Sequence, residues 1–136
     1  MSDKIFLDTN ILVYLFSKDE PYKKGNAIKA IAQSSCITGI NNINELANVL
    51  IKKFNVSYTD VVRCIDQVSQ SIEVVNINIE IIKQAIIIHE RYHYSYFDSL
   101  VISTAIENQC AFLYSEDMQH NHLINDTLTI KDIFKA

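Results

Sequence analysis

The stretch Lys4-Ile5-Phe6-Leu7-Asp8-Thr9-Asn10-Ile11-Leu12-Val13-Tyr14 decides how this chain is read. A short apolar run ends at an acid, and helical patterning begins within two residues. The run predicts a buried strand, and Asn10 to Phe16 predicts a short helix capped by Thr9 or Asn10. Asp8 therefore falls just past the carboxyl end of a strand. In open parallel sheets that is where ligands bind.

Outward from this segment the same alternation recurs. Asp19-Glu20-Pro21 predicts a helix start, because proline suits the first turn and acids suit the positive end of the dipole. That helix is expected to reach Ala32. Ser35-Cys36-Ile37-Thr38 predicts a second strand. From Asn42 the apolar residues Ile43, Leu46, Ala47 and Leu50 recur at helical spacing. Tyr58-Thr59-Asp60 opens a further helix with Val61, Ile65 and Val68 on one face. Ile72 to Ile77 reads as a β-branched strand, and Ile79 to Tyr92 and Phe97 to Asn108 read as helices. Ala111-Phe112-Leu113-Tyr114 reads as a strand, and Leu128-Thr129-Ile130 as a last strand before a short terminal helix. Short apolar strands alternating with helices predict an α/β fold with a short, mostly parallel sheet covered on both faces.

The composition agrees. The chain has 136 residues, 49% hydrophobic and 21% charged, which suits one domain spanning residues 1–136 around one core. Pro21, Gly25 and Gly39 are its only proline and glycines, so no linker is marked. Apolar runs such as Ile86-Ile87-Ile88 are too short to span a membrane, and Met1-Ser2-Asp3-Lys4 leads into no signal-peptide h-region. A cytoplasmic location is expected. Cys36, Cys64 and Cys110 are odd in number and widely spaced, which predicts buried free thiols rather than disulfides or a zinc site. A protein that holds nucleic acid by a broad basic face is usually positive, and this chain has a net charge of −4. A nucleic-acid substrate would have to be drawn by a metal ion or a local basic patch.

Four acids stand out by context. Asp8 follows a strand. Glu45 lies early in a helix beside Leu46 and Ala47. Asp98 opens the mostly apolar Phe97-Asp98-Ser99-Leu100-Val101-Ile102. Asp117 follows Leu113-Tyr114-Ser115-Glu116. Unpaired acids in apolar surroundings are costly, and no matching set of Lys or Arg is present. A hard divalent cation, Mg²⁺ or Mn²⁺, would resolve this through oxygen ligands. Singly, each acid has a plainer role open to it. Asp8 and Asp98 suit helix caps, Glu45 suits a capping box with Asn42, and Asp117 suits a turn.

The ordered set Phe6-Leu7-Asp8-Thr9-Asn10-Ile11-Leu12, Ile43-Asn44-Glu45-Leu46, Phe97-Asp98-Ser99-Leu100-Val101 and Tyr114-Ser115-Glu116-Asp117-Met118-Gln119-His120 resembles the PIN-domain ribonucleases. The resemblance is closest to the VapC-type toxins of bacterial toxin–antitoxin pairs, and it runs nearly the whole chain. It implies a PIN-like α/β/α fold and metal-dependent endoribonuclease activity. It implies Asp8, Glu45, Asp98 and Asp117 as catalytic Mg²⁺ or Mn²⁺ ligands, with Asn10 and Ser115 supporting them by hydrogen bonds. It also implies an RNA substrate, a small antitoxin partner and a homodimer. The alternative is a non-catalytic RNA- or protein-binding module on the same fold. Asn121 stands where similar toxins often carry glycine, and asparagine tolerates left-handed backbone nearly as well.

Other motifs are weaker. His89-Glu90-Arg91-Tyr92-His93 is a literal HExxH, but no third ligand accompanies it, and the resemblance ends that helix near His93. His120 and His122 are expected in a polar loop, Lys23 and Lys24 on a solvated helix face, and Tyr92, Tyr94 and Tyr96 in half-buried packing. No Walker loop, GxSxG or GxGxxG is present.

Overall fold

A computed structural model describes residues 3–135. The elements in chain order are β1 (Lys4–Leu7), α1 (Thr9–Tyr14), α2 (Pro21–Gln33), β2 (Ser35–Gly39), α3 (Ile40–Lys52), α4 (Tyr58–Ser71), β3 (Glu73–Val75), α5 (Ile79–Tyr92), α6 (Tyr96–Glu107), β4 (Phe112–Tyr114), β5 (Leu123–Ile124) and β6 (Leu128–Lys131). The strands form a six-stranded sheet in the order β3-β2-β1-β4-β6-β5. All pairings are parallel except β5 with β6. This is the expected α/β class.

Side-chain alternation along β1 assigns the two layers. Ile5 and Leu7 pack with Ile11, Leu12, Leu46, Leu50 and Val68, on the face covered by α1 to α4. Phe6 packs with Ile88, Ile102, Ala105 and Leu113 on the other face, under α6 and the end of α5. A period of two on the strand thus feeds two separate helical layers. A smaller cluster of Ile81, Ala85 and Leu100 joins α5 to α6.

The chain runs from β1 leftward through β2 to β3, and only then crosses to β4 on the other side of β1. The gap between β1 and β4 is therefore the switch point of the sheet, and its carboxyl end is the natural ligand crevice. Leu7 and Tyr114 are paired there. On the β2 side, the buried Thr38 hydroxyl donates to the Leu7 carbonyl at 2.8 Å, satisfying an acceptor beyond the paired register.

Several expected boundaries move. The cap of α1 is Asp8, whose side chain accepts from Thr9 N, rather than Thr9 or Asn10. The helix also stops at Tyr14, short of Phe16. The strand expected over Ile72 to Ile77 keeps only Glu73–Val75. Among the described residues, no terminal helix follows β6. The Asp132 carboxylate accepts from Phe134 N at 3.0 Å, and Asp132 N donates to His120 Nδ1 at 3.0 Å, so local side-chain bonds replace a helical turn. The three cysteines are free, but only Cys110 is fully buried, while Cys36 and Cys64 are half-buried. No helix among the described residues is long and apolar enough to cross a membrane.

Candidate active site

Asp8 is the buried centre of the site, 7% exposed. Three donors hold its carboxylate. Ser115 Oγ donates to Oδ2 at 2.8 Å, and Thr9 N and Asn42 Nδ2 donate to Oδ1 at 2.8 and 3.2 Å. Burial pushes its pKa up to about 6. Ser115 and Thr9 work against that rise, and the negative charges of Asp98 and Glu45 add to it.

The other acids arrive from three further elements. Asp98 sits in the first turn of α6, where its backbone N–H donates to the N-cap Ser95 at 3.1 Å. The cap is thus Ser95, and the Asp98 side chain is left for other work. Burial raises its pKa, Ser95 opposes, and Asp117 raises it further. Glu45 lies one turn into α3, and its pKa is raised by burial and then by Asp98 and Asp117. The capping-box role is excluded, because α3 begins at Ile40 with Gly39, not Asn42, at its N-cap and no side-chain cap. Asp117 follows β4 and accepts from Asn10 Nδ2 at 3.0 Å. Ser115 Oγ in turn accepts from Asp117 N at 3.3 Å.

All four acids line one cleft of about 520 Å³ at the carboxyl end of β1 and β4. They differ in depth. Asp8 is buried, Asp98 half-buried, and Glu45 and Asp117 exposed. The expectation that every acid suffers from apolar surroundings thus applies fully only to Asp8. Among the described residues, no three His, Cys, Asp or Glu side chains already stand in metal-holding geometry. The donor set nevertheless fits a Mg²⁺-type ion, which takes one or two protein carboxylates and completes its shell with water and phosphate.

Three features of the site escaped the sequence reading. Asn42 is buried and bridges Asp8 and the Thr9 hydroxyl, donating to the latter at 3.0 Å. Its spacing to Glu45 resembled a cap, which hid this role. Gly39 makes room for it, since a Cβ there would stand 2.9 Å from Asn42 Oδ1 and 3.3 Å from the Phe6 ring. Lys23 does not lie on a solvated face. It pairs with Glu116, donates to the Tyr14 hydroxyl at 3.2 Å and sits over the Tyr14 ring. Burial alone would raise the Glu116 pKa, but Lys23 and Tyr14 hold it below its ordinary value.

The HExxH does not form a site. α5 ends at Tyr92, and His93 adopts left-handed backbone with φ 65°. His89 and His93 therefore do not share a helical face, and His89 Nδ1 lies 2.5 Å from the Tyr94 carbonyl. His122 Nδ1 lies 2.7 Å from the Tyr94 hydroxyl with its ring against Tyr92 and Tyr94, His120 Nδ1 accepts from Asp132 N, and both histidines lie half-buried in the loop after β4. Tyr92, Tyr94 and Tyr96 are all half-buried, as expected, and Asn121 takes the left-handed conformation with φ 64°.

The model of the PIN-domain family matches residues 5–123. No curated protein sequence matches the chain significantly. Among solved structures, a toxin–antitoxin complex from Klebsiella pneumoniae is similar with a TM-score of 0.74 and 18% identity, over 97% of this chain and 99% of that one. VapBC-1 from nontypeable Haemophilus influenzae is similar at 0.70 and 20%, over 97% and 99%. VapC20 of Mycobacterium tuberculosis, a sarcin–ricin-loop-cleaving toxin, is similar at 0.66 and 17%, over 80% and 86%.

Proposed function

This chain belongs to the PIN-domain family, and on that premise we propose that it is a metal-dependent endoribonuclease, the toxin of a toxin–antitoxin pair. The observation that carries the reading is the convergence of Asp8, Glu45, Asp98 and Asp117 on one cleft at the sheet's switch point. The likeness to a sarcin–ricin-loop-cleaving toxin and to toxin–antitoxin complexes supports it. A small antitoxin and a second copy of the chain are its partners, the whole of residues 1–136 is one nuclease domain, and it works in the cytoplasm.

Asp8, Asp98 and Asp117 would hold Mg²⁺ or Mn²⁺, and Glu45 would join them or orient the attacking water. Such an ion activates water and stabilises charge on a phosphodiester in flight. Ser115 and Asn42 hold the Asp8 carboxylate in place by donating to its two oxygens, and Ser115 opposes the rise that burial imposes on its pKa. Asn10 ties the two strand ends together, donating to Asp117 and accepting from Glu116 N at 3.2 Å. In hydrolysis a water oxygen bonds to phosphorus, the bond to the departing ribose oxygen breaks, and the water's proton ends on that oxygen.

The test is purified chain incubated with structured RNAs, with and without Mg²⁺ or Mn²⁺. Cleavage only with the metal, lost in Asp8→Ala and Asp98→Ala, is expected. Metal-dependent cleavage that survives both substitutions would overturn the assignment.

A further inference from the structure

We propose that Lys23 is a positioning residue for the metal centre: it clamps Glu116 and thereby fixes the neighbouring Asp117 against Asn10. This rests on the nuclease reading above and adds to it a residue that touches neither metal nor RNA.

Asp117 is exposed, so packing does not hold it. Its carboxylate accepts from Asn10 Nδ2 at 3.0 Å, and its N–H donates to Ser115 Oγ at 3.3 Å. A ligand that moves freely must be ordered each time it binds a metal, and that ordering costs affinity. The short turn that carries Asp117 therefore decides how ready it is. Glu116 N donates to Asn10 Oδ1 at 3.2 Å, so both ends of the Asn10 amide are engaged with this turn.

The Glu116 side chain is held by α1 and α2. Lys23 pairs with its carboxylate, and the Tyr14 hydroxyl donates to it at 2.6 Å. Lys23 also donates to that hydroxyl at 3.2 Å, which closes a three-membered network. Its Nζ lies 4.9 Å from the centre of the Tyr14 ring and 5.4 Å from that of Phe134, and the two rings meet edge to face. An isolated ion pair on an open surface contributes little. Here the side chains of Lys23 and Glu116 are only 28% and 24% exposed, and one hydroxyl bonds to both, so the geometry is set.

The spacing on α1 shows what the clamp is for. Asn10 and Tyr14 are four residues apart in that helix and share a face. Asn10 holds Asp117, and Tyr14, braced by Lys23, holds Glu116. Two consecutive residues of the turn are thus gripped by two side chains one helical turn apart. The same helix is capped by Asp8. Asp117 is therefore placed relative to the helix that starts at the buried acid.

The experiment is calorimetric titration of the full chain with Mn²⁺, without RNA, alongside thermal unfolding. Lys23→Met is expected to raise the Mn²⁺ Kd about 10-fold, as for other residues that orient ligands. Charge alone predicts the opposite, because removing a cation beside an acidic site should tighten metal binding. Lys23→Arg should restore affinity. Lys23→Met combined with Glu116→Gln should bind no more weakly than the weaker single variant, since both break one clamp. Tyr14→Phe keeps the ring against Phe134 and loses only the hydroxyl. It should weaken Mn²⁺ binding in the same direction, and it decides the matter if Lys23→Met does not fold. Unchanged or tighter binding in Lys23→Met and Tyr14→Phe, with only a lower Tm, overturns the clamp and leaves the nuclease reading standing. Effects of Lys23→Met and Glu116→Gln that multiply in the double variant overturn it as well. An unsubstituted chain that binds no Mn²⁺ overturns the metal-dependent reading and the clamp together.

Discussion

The acidic cleft and the carboxyl end of α5 both carry residues of a metalloenzyme, and folding treats them in opposite ways. Asp8 and Asp117 are more than a hundred residues apart, yet Asn10 and Ser115 bind the segments that carry them into one network. His89 and His93 are four apart and are separated by a helix end. In the first region the strand pairing of β1 with β4 imposes proximity. In the second, the left-handed residue that stops the helix removes the periodicity that would have made a ligand pair. Spacing along a chain stands for geometry only while the element that sets the period continues.

The strongest break of this contrast exchanges the roles of the two regions. Asp98→Asn should lower metal-dependent RNA cleavage by at least about 1,000-fold, or ~4 kcal/mol of transition-state stabilisation. Glu90→Gln should leave the rate unchanged in the same assay. The reverse result would restore the HExxH as the active motif.

A second prediction concerns pH. With a folded pKa of about 6 against an unfolded value near 3.8, Asp8 binds its proton more tightly in the folded chain. Its contribution to stability is fully present below the unfolded pKa and is lost as pH rises through about 6. Metal-free chain should therefore lose on the order of 3 kcal/mol from this group between pH 4 and 7. Asp8→Asn should remove that slope and be the more stable protein at pH 7, as read by denaturant titration at each pH.

Ser115→Ala sharpens the comparison within the cleft itself. It deletes a donor to Asp8 without touching an acid. Mn²⁺ affinity, followed calorimetrically, should fall by about 10- to 100-fold, as for other residues that orient ligands. The smallest effect lies at α5. Relief of the left-handed strain at His93 by His93→Gly should stabilise the chain by roughly 0.5 kcal/mol, after the extra backbone freedom of glycine in the unfolded state is counted. Thermal unfolding would register it, and RNA cleavage should not change.

Much of this was legible before the fold was known, for identifiable reasons. The helix from Ile79 to Tyr92 and the strand from Lys4 to Leu7 carry strong periodicity and clear end signals. The four acids could be picked out because each adjoins an apolar run of an element. What stayed hidden depends on contacts between distant segments. Nothing local marks Asn42 as the partner of Asp8 rather than of Glu45, or sends Lys23 to Glu116. β5 has two residues and exists only as a hairpin partner of β6, with left-handed Asn125 and Asp126 in its turn. A segment of that length has no period to read. The terminal turn at Asp132 was misread as helix because a side chain captures the backbone donor.

The central place of β1 has a consequence in time. β1 precedes its partner β4, which begins at Phe112, by more than a hundred residues, and Ser115, which braces Asp8, and Asp117 itself come later still. Contacts of such long range form late, after the intervening chain has emerged. The four-acid cleft is therefore assembled only after Asp117 has been made.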